Sequence, residues 1–118
     1  MPLKRAWLVV LFIPSFAFAQ ELFGAVAYSA KERQHGWSNN YASRKAAEEA
    51  AMDACRKNAD DCKNILWFRN ACGALVTGPD GFGADWAENQ ANAVNKALKT
   101  CTRKSASCAV TLTFCTGK

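Results

Sequence analysis

Apolar and polar positions run through the same order of patterns twice along the chain. Phe23-Gly-Ala-Val-Ala-Tyr28 is a short apolar run, the pattern of a strand, and Gly24 within it favours close backbone approach. The polar stretch Ser29 to His35 predicts a hairpin connection. Gly36-Trp-Ser-Asn-Asn-Tyr41, which alternates large aromatic with polar residues, predicts a second strand. Ser43 then offers a side-chain oxygen to an orphan N–H in the first turn of a helix. Strong helix formers fill Arg44 to Lys57, with Ala46, Ala47, Ala50, Ala51 and Ala54 on one face at three- and four-residue spacing. Such a stripe lets a helix lie close on a sheet, since no long side chain props it off. Lys63 to Phe68 closes the series as a buried strand.

The second series repeats the first. Cys72 to Thr77 predicts a strand, Gly78-Pro-Asp-Gly81 a turn, and Phe82 to Ala87 the next strand. Asn89 takes the capping place of Ser43, Ala93, Val94, Ala97, Leu98 and Cys101 face inward, and Cys108 to Cys115 is a strand rich in β-branched residues. A shift of 46 residues places Cys55 on Cys101, Cys62 on Cys108, Ala47 on Ala93, Ala51 on Ala97, Leu66 on Leu112 and Phe68 on Phe114. Upstream the register drifts, so that Gly24-Ala25-Val26 matches Gly73-Ala74-Leu75 and Trp37 pairs loosely with Trp86. Two copies are too few for a solenoid. The expected fold is α+β: two pseudo-symmetric ββαβ units, about 23–70 and 72–115, sharing one antiparallel or mixed sheet.

A chain of 118 residues supplies one domain. Its first 19 residues read as an export signal: Lys4 and Arg5, an apolar run from Trp7 to Phe18 interrupted by Pro14, and Ala17-Phe18-Ala19 before Gln20. The run is too short for a comfortable transmembrane span. Cleavage after Ala19 leaves residues 20–118 as a single domain and lowers the net charge from +5 to +3. A cytosolic enzyme, an integral membrane protein and a disordered tail are disfavoured, and the absence of a lipid-attachment cysteine after the leader favours a periplasmic or secreted protein.

All six cysteines fall after the leader, which in an exported chain reads as a disulfide framework of three bridges. The repeat pairs Cys55 with Cys62 and Cys101 with Cys108, leaving Cys72 for Cys115. A cross-copy pairing such as Cys55–Cys101 stands as the alternative.

Phe23-Gly-Ala-Val-Ala-Tyr-Ser, Gly36-Trp-Ser, the Ala/Glu-rich helix ending in Cys55, and Trp67-Phe-Arg-Asn-Ala-Cys-Gly-Ala-Leu75 resemble the bacterial exported family called domain of unknown function 4189. The resemblance runs from Phe23 to about Cys115 and is most specific over Trp67 to Leu75. Gly83-Ala-Asp-Trp86 departs from the more usual Gly/Trp-dense segment. The resemblance implies an exported, disulfide-bonded α+β domain and carries over no catalytic residue. Exported proteins of this general kind, in bacteria that attack rivals, include inhibitors of incoming toxins.

Candidate chemistry is sparse. His35 is the single histidine, without a thiol or serine partner, and paired cysteines leave no thiolate nucleophile and no four-ligand zinc set. No catalytic residue, metal or cofactor is expected. Among the carboxylates, Glu48 with Glu49 lie on the helix's wet side and Asp60 with Asp61 in the stapled loop. Asp85 and Glu88 flank Trp86, the most site-like arrangement. Basic residues are scattered among acids, which is no nucleic-acid footprint. Large aromatics are the remaining signal. Trp67 and Phe68 cannot both face one side of a strand, so an aromatic is expected at the surface, although a small domain with alanine-rich helices also needs aromatics to fill its core. The candidate binding set is Trp37, Tyr41, Trp67, Arg69 and Trp86. The expected function is a non-enzymatic binding protein with a protein partner, in its sharpest form an inhibitor or immunity protein against an envelope-targeting toxin. The alternative is a small secreted effector or hydrolase acting through surface carboxylates.

Overall fold

The computed structural model describes residues 20–117, so the expected leader, 1–19, lies outside the described residues. The elements follow the expected order: β1 (Phe23–Ser29), β2 (Gln34–Tyr41), α1 (Arg44–Arg56), β3 (Lys63–Arg69), β4 (Cys72–Gly78), β5 (Gly81–Ala87), α2 (Gln90–Thr102) and β6 (Ala109–Cys115). Both helix starts are capped as their sequences dictate. Ser43 Oγ accepts from the Ala46 N–H at 3.1 Å, and Asn89 Oδ1 accepts from the Asn92 N–H at 2.8 Å.

The strands do not share one sheet. They form two antiparallel three-stranded sheets, ordered β2-β1-β3 and β5-β4-β6. Alternation along the two central strands explains the division. In β1, Ala25 and Ala27 face α1, whereas Val26 and Tyr28 face the second sheet. In β4, Ala74 and Val76 face α2 and Leu75 faces back. A single sheet with both helices on one side would leave Val26, Phe68, Leu75 and Phe114 open to water. Two sheets back to back bury them, giving layers in the order α1, sheet, sheet, α2, with an apolar cluster in each of the three gaps. The turn out of the first sheet is made by Asn70-Ala71 alone, with Asn70 at φ 46.

Two local expectations also change. The hairpin connection is shorter than Ser29 to His35: the ladder runs on to Ser29 opposite Gln34, so His35 lies in β2 opposite Tyr28, half-buried, and is not a loop residue. The helix stripe is narrower too. Ala47, Ala51 and Cys55 are fully buried, as are Ala93, Ala97 and Cys101, whereas Ala46, Ala50 and Ala54 are half-buried, as are Val94 and Leu98. The strands under the stripes bring glycine to the contact. Gly36 in β2 packs against the α1 backbone at Ala51 and Cys55, and Gly83 in β5 against the α2 backbone at Ala97 and Cys101.

The bridges are those the repeat pairs. Cys55–Cys62 and Cys101–Cys108 each tie a helix end to the chain seven residues on. Cys72–Cys115 joins β4 to β6 at directly opposed positions. The cross-copy alternative does not form, and no cysteine is free. The loop after α1 is further held by Ser29, a buried hydroxyl of β1 that donates to the Asp61 carboxylate.

Candidate functional site

The core is filled by Tyr28, Phe68 and Phe114 among the aromatics, with Phe82 half-buried. The indoles and Tyr41 are elsewhere: Trp37 is 43% exposed, Tyr41 40%, Trp67 38% and Trp86 46%, against 2% for Phe68. Strand alternation therefore separates Trp67 from Phe68, and the core-filling account fails for these four side chains.

The two open sides of the sandwich are built differently. Strand β2 stands over β6, where Trp37 lies opposite Val26 and its ring packs against Phe114 at 4.7 Å between centroids. That side is also stitched by polar bonds. Asn39 Nδ2 donates to the Cys115 carbonyl at 3.3 Å, the Asn40 N–H to Thr116 Oγ1 at 2.8 Å, and the Gly117 N–H to Asn40 Oδ1 at 2.9 Å. On the other side β3 stands beside β5. Phe68 takes the place of Phe114 there, but opposite Leu75, which matches Val26, stands Ala84. Ala84 is small where Trp37 carries a ring, while Phe68 itself is buried, 2% exposed, by its other neighbours. Trp86 sits two positions farther along, opposite Gly73, at the rim. Between the two strands lies a groove of about 640 Å³, lined by Ile65, Leu66, Trp67, Phe68, Arg69, Asp85 and Trp86.

Each exposed indole of the groove has a cation over it. The Arg44 guanidinium lies 4.4 Å from the Trp67 ring centre, which also stacks with Phe23 at 6.2 Å. Lys96 Nζ lies 5.3 Å from the Trp86 ring centre and donates to the Trp86 carbonyl at 2.7 Å. These contacts hold the rings in place by cation–π attraction. Arg69 donates through Nη1 to Glu21 at 2.9 Å. Asp85 accepts from the Trp86 N–H at 2.8 Å and pairs with Lys96 at 3.5 Å.

Of the candidate binding set, the structure brings Trp67, Arg69 and Trp86 to one groove. Trp37 and Tyr41 lie on β2, across the sheet from β3, so they do not join it. Ile65, Leu66 and Phe68 complete the apolar wall and were not in the candidate set; their signal is a continuous apolar run in a strand that ends its sheet. The carboxylates are dispersed. Asp85 is on the groove wall, whereas Glu88 is exposed past the end of β5. Glu48 and Glu49 line a separate polar cleft of about 500 Å³ with Lys45, Met52, Asp53, Arg56 and Asn64, and Glu48 pairs with Arg44. Among the described residues no three of His, Cys, Asp and Glu converge as a metal would need. What the groove can do chemically is offer two pinned indoles, an apolar floor and a guanidinium to a ligand.

The chain matches the family described as Domain of unknown function (DUF4189) over residues 23–115. Neither a curated protein nor a solved structure matches it.

Proposed function

The chain belongs to that family, whose description assigns no activity, and on that premise we propose that it is an exported, non-enzymatic binding protein whose site is the groove between β3 and β5. The observation that carries this reading is the convergence of Trp67, Trp86 and Arg69 on one concave wall. Tryptophan and arginine are the residue types that dominate binding energy at protein interfaces, and exposed apolar patches rimmed by charge mark interaction sites. Export is supported by the leader's composition and by the three disulfides, which persist in oxidising compartments. Among the described residues no helix is long and apolar enough to cross a membrane. The sharpest form of the role is an inhibitor or immunity protein that occupies an envelope-targeting toxin. A second reading, a secreted hydrolase, draws on the presence of Asp85 in the groove wall.

Affinity capture from envelope fractions, with mass spectrometry of what is retained, tests the proposal when run on the wild type and on Trp86→Ala. The variant should lose about 2 kcal/mol or more of binding to the captured partner while melting close to the wild type, because its ring is largely outside the core. Turnover of peptidoglycan, lipid or peptide substrates, abolished by Asp85→Asn or Glu88→Gln with folding intact, would replace the binding reading by the hydrolase.

A further inference from the structure

The groove follows a strand edge and does not cross a sheet face. Five consecutive residues of β3, Ile65 to Arg69, line it. Side chains of a strand alternate between faces, and here Leu66 and Phe68 pack toward the second sheet while Trp67 stacks on Phe23 on the α1 side. A cavity touched by both faces at once must be bordered by the edge between them, where backbone N–H and C=O groups point outward. Strand β3 ends its sheet, with β1 on its other side, and β5 likewise ends the second sheet. The pairing of β3 with β1 is regular from Leu66 to Arg69, the irregularity falling before it at Ile65. Among the described residues, a regular edge with no further strand paired to it is thus presented inside the groove.

The geometry points to an extended, acid-bearing peptide segment of a partner protein as the occupant, added to β3 along Leu66–Arg69. The inference rests on the groove being the binding site. An extended polypeptide supplies a donor or acceptor for each backbone group of the edge, which a sugar or a lipid does not. Alternate side chains of the added strand would point to the two sides of β3: one set toward Leu66, Phe68 and Trp86, the other toward Trp67 and Arg69. Asp85, the acid of the groove wall, is paired with Lys96, so the charge left to meet a ligand is that of the guanidinium groups. Arg69 already holds a carboxylate, that of Glu21, through one nitrogen, and Arg44 over Trp67 holds Glu48 through Nε. A guanidinium has five N–H donors, so both retain capacity for a further carboxylate, and their side chains are 57% and 53% exposed.

Panning a random displayed peptide library on the oxidised full-length mature protein supplies the probe, and one selected peptide is then resynthesised with N-methyl groups on alternate amides. Strand addition predicts a period of two. Methylation of the set facing β3 should weaken binding by at least about tenfold, through lost backbone bonds, whereas the other set should be tolerated. Selected peptides should carry an acid that Arg69→Glu no longer prefers. Equal effects of the two methylated sets, no selected peptide while peptidoglycan fragments bind, or self-association of the protein through this edge would each overturn the inference. If peptide binding depends on Trp86 but not on the methylation phase, strand addition falls while the groove stands. If Trp86→Ala leaves peptide binding untouched, the groove itself is the wrong site.

Discussion

Alanine in place of Gly36 tests how closely α1 sits on its sheet. A Cβ at Gly36 would lie 2.2 Å from the Ala51 carbonyl oxygen and 2.3 Å from the Cys55 nitrogen. Even close carbon–oxygen contacts keep about 3.3 Å, so helix and strand must part by roughly 1 Å. The overlap is backbone on backbone, and no rotamer change relieves it. Retreat of the helix is resisted by the buried Ala47, Ala51 and Cys55 and by the Cys55–Cys62 bridge at the point of contact. Overpacking of this kind costs about 1–3 kcal/mol, and the rigidity of both partners places it at the upper end. Alanine recovers about 0.5–1 kcal/mol over glycine in a strand interior. The net loss is about 2 kcal/mol, which for a domain of this size lowers the melting temperature by about 8–16 °C. Gly83 stands in the same relation to α2, 2.1 Å from the Ala97 oxygen and 2.7 Å from the Cys101 nitrogen, and its alanine variant should behave alike. Calorimetric melting of the two oxidised variants reads the effect. Melting of both within about 2 °C of the wild type, well under the shift for 1 kcal/mol, would refute the close approach.

The bridges should differ in worth: the Cys72–Cys115 loop of 43 residues should contribute about 4 kcal/mol in the chain-entropy account, and each seven-residue staple about 2.5 kcal/mol. Chemical unfolding of the paired serine variants measures this, and equal losses for long and short loops would count against it. Ala84→Trp should set an indole on β5 in the register Trp37 holds on β2, crowding the space beside Trp86 and weakening groove binding at a packing cost of about 1–3 kcal/mol. Binding that survives in the folded variant would show that the ligand lies elsewhere. Export with cleavage after Ala19 predicts a mature N-terminus at Gln20, read by terminal sequencing, and a bulky residue at position 19 should leave uncleaved precursor.

The local order of elements was legible because each rests on short-range chemistry. Ser43 and Asn89 stand before alanine-patterned helices, and Cys55–Cys62 and Cys101–Cys108 recur at the same spacing within the repeat. The division into two sheets was not legible. Ala25, Val26, Ala27 and Tyr28 are all buried, so β1 presents no polar face, and its apolar run reads the same in one sheet or between two layers. Polarity alone does not mark the turn after β1, because pairing continues to Gln34 and puts His35 inside β2. The groove depends on an absence. Matching Trp37 with Trp86 by type hides the structural match of Trp37 with Ala84, which appears only once Val26 and Leu75 fix the register of both hairpins.

An open strand edge lined by apolar residues is a liability in water, because it offers pairing to any passing chain. This chain holds the means to close one: a tryptophan over a phenylalanine and a polar tail, as at β2 and β6. At β3 and β5 it places alanine where the ring would go, yet it keeps Trp67 and Trp86 and spends Arg44 and Lys96 on fixing their rings. The irregularity at Ile65 and the charges of Lys63 and Arg69 confine the open stretch to a short segment. On the closed side the Trp37 ring packs on the core side chain of Phe114, although Trp37 itself stays 43% exposed. Trp67 and Trp86 are comparably exposed, but their rings rest on cations worth only about 0.5–1 kcal/mol at exposed sites and on the half-buried Phe23, not on a core phenylalanine. Ordered rings lose little conformational freedom when a ligand arrives, and that advantage is realised only on binding.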